Sequence, residues 1–294
     1  MAISRMMFLV SMLLAAAAVC CISGVLASAA GSDQKTAGQM RIVSLSPAVT
    51  ESLYLLGMEK SLAGVTTYCN RPKEAKSKEK IGTVMEPDVE KIMKLKPDIV
   101  FAMDLTNSKT IKKMKDLGLN VVTFKIPHDF SGVCDVFLKI GRVTGKTEES
   151  KRIVSSARSQ VARIQKRTSG LAKPRVLIQV GSKPFFVATK DFFINDLIDF
   201  AGAMNVFKDA VSGSVGREEA IMRNPDVIFV VTMGLSGDNE RLAWKRFSSV
   251  AAVNSGRIYL VDSDDICSPT PVSFARTLGN IAALLHPDEA KGWK

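Results

Sequence analysis

The longest regular pattern of apolar and polar positions lies in the middle of the chain, over residues 147–169. Apolar residues recur there every three or four positions, as on one face of a helix, and the stretch contains no proline or glycine. Thr147 is placed as an N-cap, and Gly170 and Pro174 follow the last apolar position. We predict a single helix of roughly 30–35 Å, at 1.5 Å per residue. The residues of its apolar face are Ile153, Val154, Ala157, Val161 and Ile164.

Short apolar runs alternate with amphipathic stretches on both sides of this helix. The apolar runs have the length of buried strands, and glycine or proline closes most of the amphipathic stretches. This alternation predicts an α/β fold. The predicted strands are 41–47, 62–67, 99–102, 121–124, 175–180, 227–231 and 257–261. The predicted helices are 50–56 with Thr50 as its cap, 88–95, 109–117, 130–140, 193–200, 217–222, a stretch that starts at 246–250, and 273–285.

The two sides of the central helix carry the same sequence pattern. Residues 90–101 align without gaps on residues 218–229 at a constant offset of 128 residues, and both segments place Pro-Asp before an apolar run. We therefore predict two Rossmann-like lobes with parallel sheets, joined by one long α-helix, with a ligand cleft between the lobes. Ligands of open α/β sheets bind beyond the carboxyl ends of the strands, where such a cleft lies. The alternative is a single α/β domain in which the helix is one of several surface helices.

An apolar run over residues 6–26 opens the chain and ends in small residues. Ala27 and Ala29 stand at the spacing that signal peptidase recognises, so we predict export and cleavage near Ala29. The run is also long enough for an uncleaved membrane anchor. Cys20 and Cys21 raise the possibility of a lipoprotein, although the residues before them lack the usual leucine-led lipobox. The expected location is therefore periplasmic or otherwise extracytoplasmic, with anchoring by the N-terminus left open.

Composition adds a basic character to this picture. The chain of 294 residues has a formal net charge of +11 and is long enough for two apolar cores. Its lysines are scattered and lack interleaved aromatic residues, and an exported protein has little access to nucleic acid, so we expect an anionic ligand and no nucleic-acid partner. Cleavage would leave Cys69, Cys134 and Cys267, of which two at most can pair, and the sequence does not identify the pair.

The motifs of common enzymes are missing. The segment 139–147 resembles a phosphate-binding loop but is one residue short between its glycines and follows a helical pattern. The two histidines, His128 and His286, are far apart in sequence and have no acid–base constellation around them, and two histidines do not make a His-rich zinc site. We therefore predict no enzyme, no catalytic residue, no protein metal site and no cofactor. Two rivals from other classes are a bilobed metallocluster or nucleotide enzyme and a structural surface protein.

Several motifs, taken in order, resemble one family. They are RIVSLSPAVTE at 41–51, GVTTYCNRP at 64–72, GRVTG at 141–145 and Arg217-Glu218. The predicted long helix lies between the third and the fourth of these motifs. The chain after residue 40 resembles the iron-siderophore and cobalamin family of periplasmic substrate-binding proteins, which serve ABC importers. The resemblance implies a rigid helix between the lobes and small lobe motions. It also implies a monomer that captures a metal chelate (iron-siderophore, haem or corrinoid) and delivers it to a membrane permease.

The resemblance also assigns candidate site residues. Glu90 and Glu218 match the two carboxylates that dock into arginine pockets of the permease dimer, and the internal repeat relates the same two residues. Tyr68 and Phe186 match aromatic ligand contacts, whereas the family's cobalamin-stacking tryptophan positions read Val84, Met103, Ser212 and Asp265 here. That loss favours an anionic iron chelate or haem, with a cobalamin-specific protein as the alternative. The full set of candidate ligand-binding residues is Tyr68, Arg71, Met85, Met103, Phe186, Lys190, Arg217 and Asp265. For Met85 and Met103, ordinary packing is an equal alternative.

These predictions divide the chain into segments with defined bounds. Residues 1–29 are the predicted signal peptide, and residues 41–290 are the predicted Fe/cobalamin-type binding domain. Within that domain the N-lobe covers 41–145, the linking helix covers 146–170 and the C-lobe covers 171–290.

Overall fold

Two β-sheets, one in each half of the chain, are connected by a single long helix. The computed structural model describes residues 40–232 and 237–293, so the predicted signal peptide lies outside the described residues. We call the part before the long helix the N-lobe and the part after it the C-lobe. In the described residues, no helix is long and apolar enough to cross a membrane.

The N-lobe sheet consists of parallel strands in the order β2-β1-β3-β4. Its two central strands, β1 and β3, bury every side chain, as expected for a parallel sheet covered by helices on both faces. The strands are β1 Ile42–Ser44, β2 Leu62–Val65, β3 Ile99–Met103 and β4 Val121–Phe124. The helices are α1 Pro47–Leu55, α2 Val89–Lys94, α3 Ser108–Asp116 and α4 Phe130–Val143, with short 3₁₀ turns at Glu59–Ser61 and Lys73–Ser77.

The C-lobe sheet has the order β6-β5-β8-β9, and β7 also pairs with β5. It is parallel except for β6, which folds back on β5 as an antiparallel hairpin that the sequence pattern did not predict. The strands are β5 Arg175–Ser182, β6 Phe185–Val187, β7 Met204–Asn205, β8 Val227–Val231 and β9 Ile258–Val261. The helices are α6 Ile194–Phe200, α7 Arg217–Met222, α8 Gly237–Trp244, α9 Ala251–Asn254, α10 Ser263–Cys267, α11 Pro271–Leu285 and α12 Pro287–Ala290.

The long helix is α5, Thr147–Thr168, and its predicted apolar face is the buried one. Thr147 was wrongly predicted as the N-cap, because it is already the first helical residue and Lys146 precedes it without a side-chain cap. The helix starts immediately after a sharp turn from α4, in which Gly145 has a φ of 72°. Gly141 lies so close to Ser150 that a Cβ at this position would be 2.3 Å from the Ser150 hydroxyl, so the approach of α4 to α5 requires glycine.

Two other helix predictions were wrong. The first N-lobe helix begins at Pro47 rather than at Thr50, since proline is well suited to the first helical position. Thr50 is buried, and its hydroxyl donates to Oγ of Ser44 instead of capping the helix. The stretch 246–250, predicted as the start of a helix, is a turn between α8 and α9. Helix α8 ends at Trp244, whose side chain is completely buried.

The internal repeat is present in the structure at the level of single hydrogen bonds. Helices α2 and α7 occupy equivalent positions, because α2 is followed by strand β3 and α7 by strand β8. Asp98 accepts a hydrogen bond from the backbone N–H of Arg41 at 2.7 Å, and Asp226 accepts one from that of Arg175 at 2.8 Å. The same Pro-Asp sequence therefore fixes the start of the first strand in both lobes.

Buried apolar side chains in the described residues form three clusters. The largest, the inter-lobe core, runs from the inner face of the N-lobe sheet through α4, α5, α6 and α11 to the inner face of the C-lobe sheet. The other two, the N-lobe and C-lobe outer clusters, each cover the far face of one sheet. Phe274 of α11 joins the lobes directly, because its buried ring stacks on Phe130 of α4 at 4.5 Å and lies 6.3 Å from Phe200 of α6.

The three cysteines in the described part of the chain are free thiols. Cys69 and Cys134 are buried and Cys267 is half-buried. Burial raises the pKa of each thiol, and that of Cys267 rises to about 12, with the nearby carboxylates of Asp264 and Asp262 adding to the effect. The open question of which two cysteines pair is thereby answered, since no pair of the three forms a bridge.

Candidate functional site

The carboxyl ends of the strands in the two sheets face each other, and direct contacts between the lobes establish this. One contact joins the loop after β2 to helix α10 after β9. The other joins the segment after β4 to the loop after β6. Because β2 and β4 are the edge strands of the N-lobe sheet, the two contacts stand at opposite edges and bracket the space between them. This bracketed space is the candidate ligand cleft.

The first contact is built around Arg71 in the N-lobe. Its guanidinium forms an ion pair with Asp265 of the C-lobe at 2.5 Å and donates to the backbone carbonyls of Asp264 and, at 3.5 Å, Ser268. On its own lobe it lies 3.1 Å from Oε2 of Glu51. We call this group the Arg71 contact. Arg71 and Asp265 were both predicted to bind the ligand, and in the structure they form an ion pair with each other.

Burial shapes the electrostatics of the Arg71 contact. Desolvation raises the pKa of Glu51 above its ordinary value, against the opposing pull of the Arg71 charge. Desolvation likewise raises the pKa of Asp264. Asp265 has a second partner, since Arg276 of α11 lies 2.9 Å from it. A pocket of about 480 Å³ lies beside these residues, between helix α1, the loop after β2 and Arg276.

The second contact between the lobes lies at the β4 edge. Nδ1 of His128 donates to the backbone carbonyl of Asp191 at 2.9 Å, and the carboxylate of Asp196 accepts from the backbone N–H of Phe130 at 2.8 Å. Burial is the main cause that raises the pKa of Asp196. His128 therefore links the lobes, whereas His286 is a buried residue whose Nε2 donates to the carbonyl of Ala201.

Several exposed apolar side chains follow the strands of the N-lobe sheet. Tyr68 is 56% exposed, Met85 64% and Leu105 52%, all in segments that follow strands β2 and β3. The Thr106 hydroxyl donates to the carbonyl of Val84 at 2.9 Å and holds the segment with Met85 beside that of Leu105. Large apolar side chains left this open are typical of a binding surface.

Met103 lies differently from the other predicted methionine. It is the last residue of β3, is only 7% exposed and packs in the inter-lobe core. Its contacts are those of a core residue below the cleft.

In the C-lobe, Phe186 and Lys190 lie on β6 and in the loop after it. Phe186 is half-buried on β6, edge-on to Phe192 with ring centroids 6.5 Å apart. Its ring lies against Gly213, where a Cβ would come within 2.5 Å of the ring, so glycine is required there. Lys190 is exposed in the loop that follows.

Arg217, a predicted ligand-binding residue, lies at the carboxyl edge of the C-lobe sheet. The residues around it were not predicted from the sequence. Its guanidinium carbon lies 4.9 Å from the ring centroid of Phe185 and 5.0 Å from that of Trp244, and Nη2 pairs with Glu240 at 2.7 Å. Gln179 donates to the same Glu240 oxygen at 2.7 Å and accepts from Nε1 of Trp244 at 2.7 Å. We call Gln179, Arg217 and Glu240 the Arg217 cluster.

The Arg217 cluster keeps its carboxylate ionised. Desolvation tends to raise the pKa of Glu240, but the hydrogen bonds from Arg217 and Gln179 outweigh it, so the pKa is lowered. Besides the predicted Arg217, the sequence signal for this cluster is Gln179, a polar residue that follows the apolar run at residues 176–178 in strand β5.

The predicted docking residues occupy equivalent places in the two lobes. Glu90 lies in the first turn of α2 and Glu218 in the first turn of α7, and both are exposed. Negative charge in a first turn complements the helix dipole, so this position has a structural explanation as well as a functional one. Over residues 40–232 and 237–293, no group of three or more His, Cys, Asp or Glu side chains is arranged to hold a metal ion.

Comparison with known proteins finds a matching family and several relatives. The model of a family described as periplasmic binding protein matches residues 42–264. An uncharacterized ABC transporter substrate-binding lipoprotein of Bacillus subtilis is 34% identical over 261 residues, with 85% of this chain and 81% of the relative covered. A vitamin B12-binding protein of Vibrio parahaemolyticus is 25% identical, with 85% and 90% covered. The crystal structure of a possible iron-binding (periplasmic solute-binding) protein of Staphylococcus epidermidis has a TM-score of 0.72 and 32% identity, with 84% of this chain and 98% of that chain covered.

Proposed function

Because this chain belongs to the periplasmic binding protein family, we propose that it captures a metal chelate in the cleft between its lobes. The protein is the substrate-binding component of an ABC importer and acts outside the cytoplasm. It is a transport component and not an enzyme, and its macromolecular partner is a membrane permease. The metal arrives inside the ligand, so the protein supplies shape, apolar surface and charge.

One observation carries the proposal for the ligand class. The exposed apolar side chains of Tyr68, Met85 and Leu105 follow strands β2 and β3 in the N-lobe, and the exposed cation Lys190 follows β6 in the C-lobe. A chelate such as an iron-siderophore or haem combines a large organic surface with anionic oxygens, and these apolar and cationic side chains suit both parts. The iron-binding description of the Staphylococcus epidermidis protein supports the same class.

A corrinoid is the second candidate ligand. The relative named as a vitamin B12-binding protein favours it. Against it, Val84, Met103, Ser212 and Asp265 stand where the resemblance expects ligand-stacking tryptophans, and Met103 packs in the core. We therefore rank an anionic iron chelate or haem first.

We further propose that Glu90 and Glu218 dock the protein on the permease. Each is an exposed carboxylate in the first turn of one of the two repeat-related helices, α2 and α7. Two carboxylates so related can engage two arginine clusters of a symmetric permease dimer at once. Such charged pairs fix orientation and association rate more than they add affinity.

Residues 1–29 are proposed to be a signal peptide that is removed on export.

The test measures binding and delivery separately. A thermal-shift screen with haem, ferric citrate, ferrioxamine B and cyanocobalamin should find a chelate that stabilises the protein, by about 2.7 kcal/mol at a hundred times its dissociation constant. The Glu90→Ala, Glu218→Ala double variant should bind that chelate normally but fail to stimulate ATPase activity of the reconstituted permease. Added salt should weaken wild-type docking.

A matched control removes two other exposed helix carboxylates. The variant Glu148→Ala, Asp288→Ala changes the net charge equally, and both of these side chains are exposed. It should stimulate the permease as the wild type does. Full stimulation by the Glu90→Ala, Glu218→Ala variant would remove the docking assignment, and the absence of binding to every chelate would remove the proposed ligand class.

A further inference from the structure

The repeated helices α2 and α7 match in backbone but not in exposed side chains. Two residues after each helix the chain has a positive φ, 45° at Lys96 and 44° at Asn224, and Pro-Asp follows in both lobes. Lys96 and Asn224 are 128 positions apart, as are Glu90 and Glu218, so the two helices can be compared position by position. Differences between their exposed side chains are therefore differences in the surface that each lobe presents.

The position four residues after each glutamate differs most. Glu90 is followed at this spacing by the exposed Lys94, and Glu218 is followed by Met222, whose side chain is 82% exposed. Residues four apart are neighbours on one face of a helix. A partner that engages both glutamates therefore also covers a cation in the N-lobe and an apolar side chain in the C-lobe.

Two neighbouring positions differ as well. The N-lobe carries Lys91 and Lys96 where the C-lobe carries Glu219 and Asn224. Three lysines thus surround the N-lobe glutamate, and the aligned positions around the C-lobe glutamate carry none. We call Glu90, Lys91, Lys94 and Lys96 the N-lobe docking face. We call Glu218, Glu219, Met222 and Asn224 the C-lobe docking face.

The lobes also differ in overall charge. Residues 41–145 contain 17 basic and 12 acidic residues, a formal net charge of +5, whereas residues 171–290 contain 12 basic and 14 acidic residues, a net charge of −2. A molecule with its charge divided in this way is oriented by the field of a charged partner before contact. A partner can therefore distinguish the two lobes both at a distance and in the contact itself.

A partner with two identical halves would offer one surface to both docking faces. A surface with carboxylates for the lysines would place charge against Met222, and an apolar surface for Met222 would leave the lysines without partners. Unpaired charge at an interface is a common source of discrimination between partners. The two docking faces are therefore best satisfied by two different surfaces.

We propose that the permease has two non-identical halves and that the protein docks on it in one orientation only. The half that meets the N-lobe docking face carries carboxylates beside its arginines, which pair with the lysines. The half that meets the C-lobe docking face carries apolar side chains in that place, which contact Met222. The inference rests on the proposed function, and it keeps Glu90 and Glu218 as the anchors common to both halves.

The experiment copies one lobe onto the other at the position that differs most. Met222→Lys gives both lobes a lysine there, and Lys94→Met gives both a methionine. ATPase activity of the reconstituted permease is measured over a range of concentrations of the binding protein. Identical halves already accept both residues in the wild type, so neither variant would then lose stimulation.

With non-identical halves both variants lose stimulation. Met222→Lys should raise the half-stimulating concentration about tenfold, because it places a charge against an apolar surface. Lys94→Met should raise it about threefold, because one exposed charge pair is lost. That smaller loss should disappear as salt is added. A loss in Lys94→Met that salt does not change would contradict the pairing of the lysines with carboxylates.

Helix α5 provides matched controls for the change in charge. It packs in the inter-lobe core, whereas α2 and α7 contribute to the N-lobe and C-lobe outer clusters on the far faces of the sheets. Gln160→Lys adds one positive charge at an exposed position of α5, and Lys151→Met removes one. Both variants should stimulate the permease as the wild type does. A loss in Gln160→Lys as large as in Met222→Lys would assign the effect to net charge and overturn the inference.

The outcomes also separate this inference from the proposed function. Wild-type stimulation by both Met222→Lys and Lys94→Met would overturn the non-identical halves and leave chelate capture and docking in place. Full stimulation by the Glu90→Ala, Glu218→Ala variant would overturn docking and this inference together. Both substituted side chains are exposed, so chelate titrations of the two variants should match those of the wild type and show that they are folded.

Discussion

Removing Arg71 should destabilise the folded protein, and the loss should grow as the pH rises. The Arg71 side chain is 24% exposed and that of Glu51 13%, so the pair is mostly withdrawn from water. Arg71→Ala deletes the bonds to the C-lobe and leaves the Glu51 carboxylate desolvated without its partner. Oε2 of Glu51 already accepts no hydrogen bond, so the Arg71 charge is its compensation.

The expected magnitude lies between two limits. Exposed ion pairs contribute less than about 1 kcal/mol, whereas breaking a fully buried pair by removing one partner costs about 3–5 kcal/mol. The exposure of Arg71 is intermediate, and the substitution also removes its hydrogen bonds to the carbonyls of Asp264 and Ser268. We expect the free energy of unfolding to fall by about 2–3 kcal/mol at neutral pH.

The pH dependence follows from Glu51. Desolvation raises its pKa from the ordinary 4.5, and Arg71 is the largest influence that opposes the rise. Without Arg71 the folded-state pKa rises further. A carboxyl with a raised folded-state pKa contributes stability that is present below the unfolded-state value and is lost as the pH climbs through the folded-state value. The difference in the free energy of unfolding between wild type and Arg71→Ala should therefore be small below pH 4.5 and largest near neutral pH.

Urea unfolding at several pH values tests this, with two controls. Adding Glu51→Gln to Arg71→Ala should restore part of the stability and remove the added pH dependence, because a neutral amide replaces the carboxylate. Arg152→Ala breaks an ion pair with Glu149 on the exposed side of α5 and should change the unfolding midpoint little. A double variant as unstable and as pH-dependent as Arg71→Ala alone would refute the role given to Glu51.

Two further predictions concern the cleft and the long helix. Tyr68→Ala and Phe186→Ala should each weaken chelate binding by about 1–3 kcal/mol, as truncation of aromatic contacts does at binding hot spots, and unchanged titration curves for both would show that they do not line the ligand. Ala157→Pro, in the buried middle of α5, should cost about 3 kcal/mol or more in thermal unfolding, whereas Glu148→Pro in the first turn should be nearly neutral. Equal effects of the two prolines would mean that α5 is not the structural link between the lobes.

The elements that the sequence predicted well are those with local causes. The apolar face of α5 repeats at helical spacing, so its buried side follows from periodicity alone. The lobe repeat is carried by a contiguous stretch in which Asp98 and Asp226 hold the start of the neighbouring strand, so alignment of two short segments was enough to find it. Positions of Glu90 and Glu218 on the two repeated helices follow directly.

The features that could not be predicted join residues far apart in the chain. Arg71 and Asp265 were each candidates for ligand contact, but nothing local indicates that they pair with each other across the cleft. The Arg217 cluster likewise combines a strand residue, a helix start and Glu240 of a helix that the periodicity missed. The β6 hairpin was not predicted, because its strand is three residues long and too short to show a periodic pattern.

The inter-lobe core has a consequence for how the molecule folds. Since the inner faces of both sheets, the long helix and α11 share one continuous apolar cluster, opening either lobe would expose the surface that the other lobe needs. We therefore expect the two halves to unfold in a single cooperative transition, although they are built from a repeated unit. In hydrogen exchange, amides of the strands that face this cluster report the global unfolding free energy, while those of short surface helices such as α9 and α12 exchange through local openings.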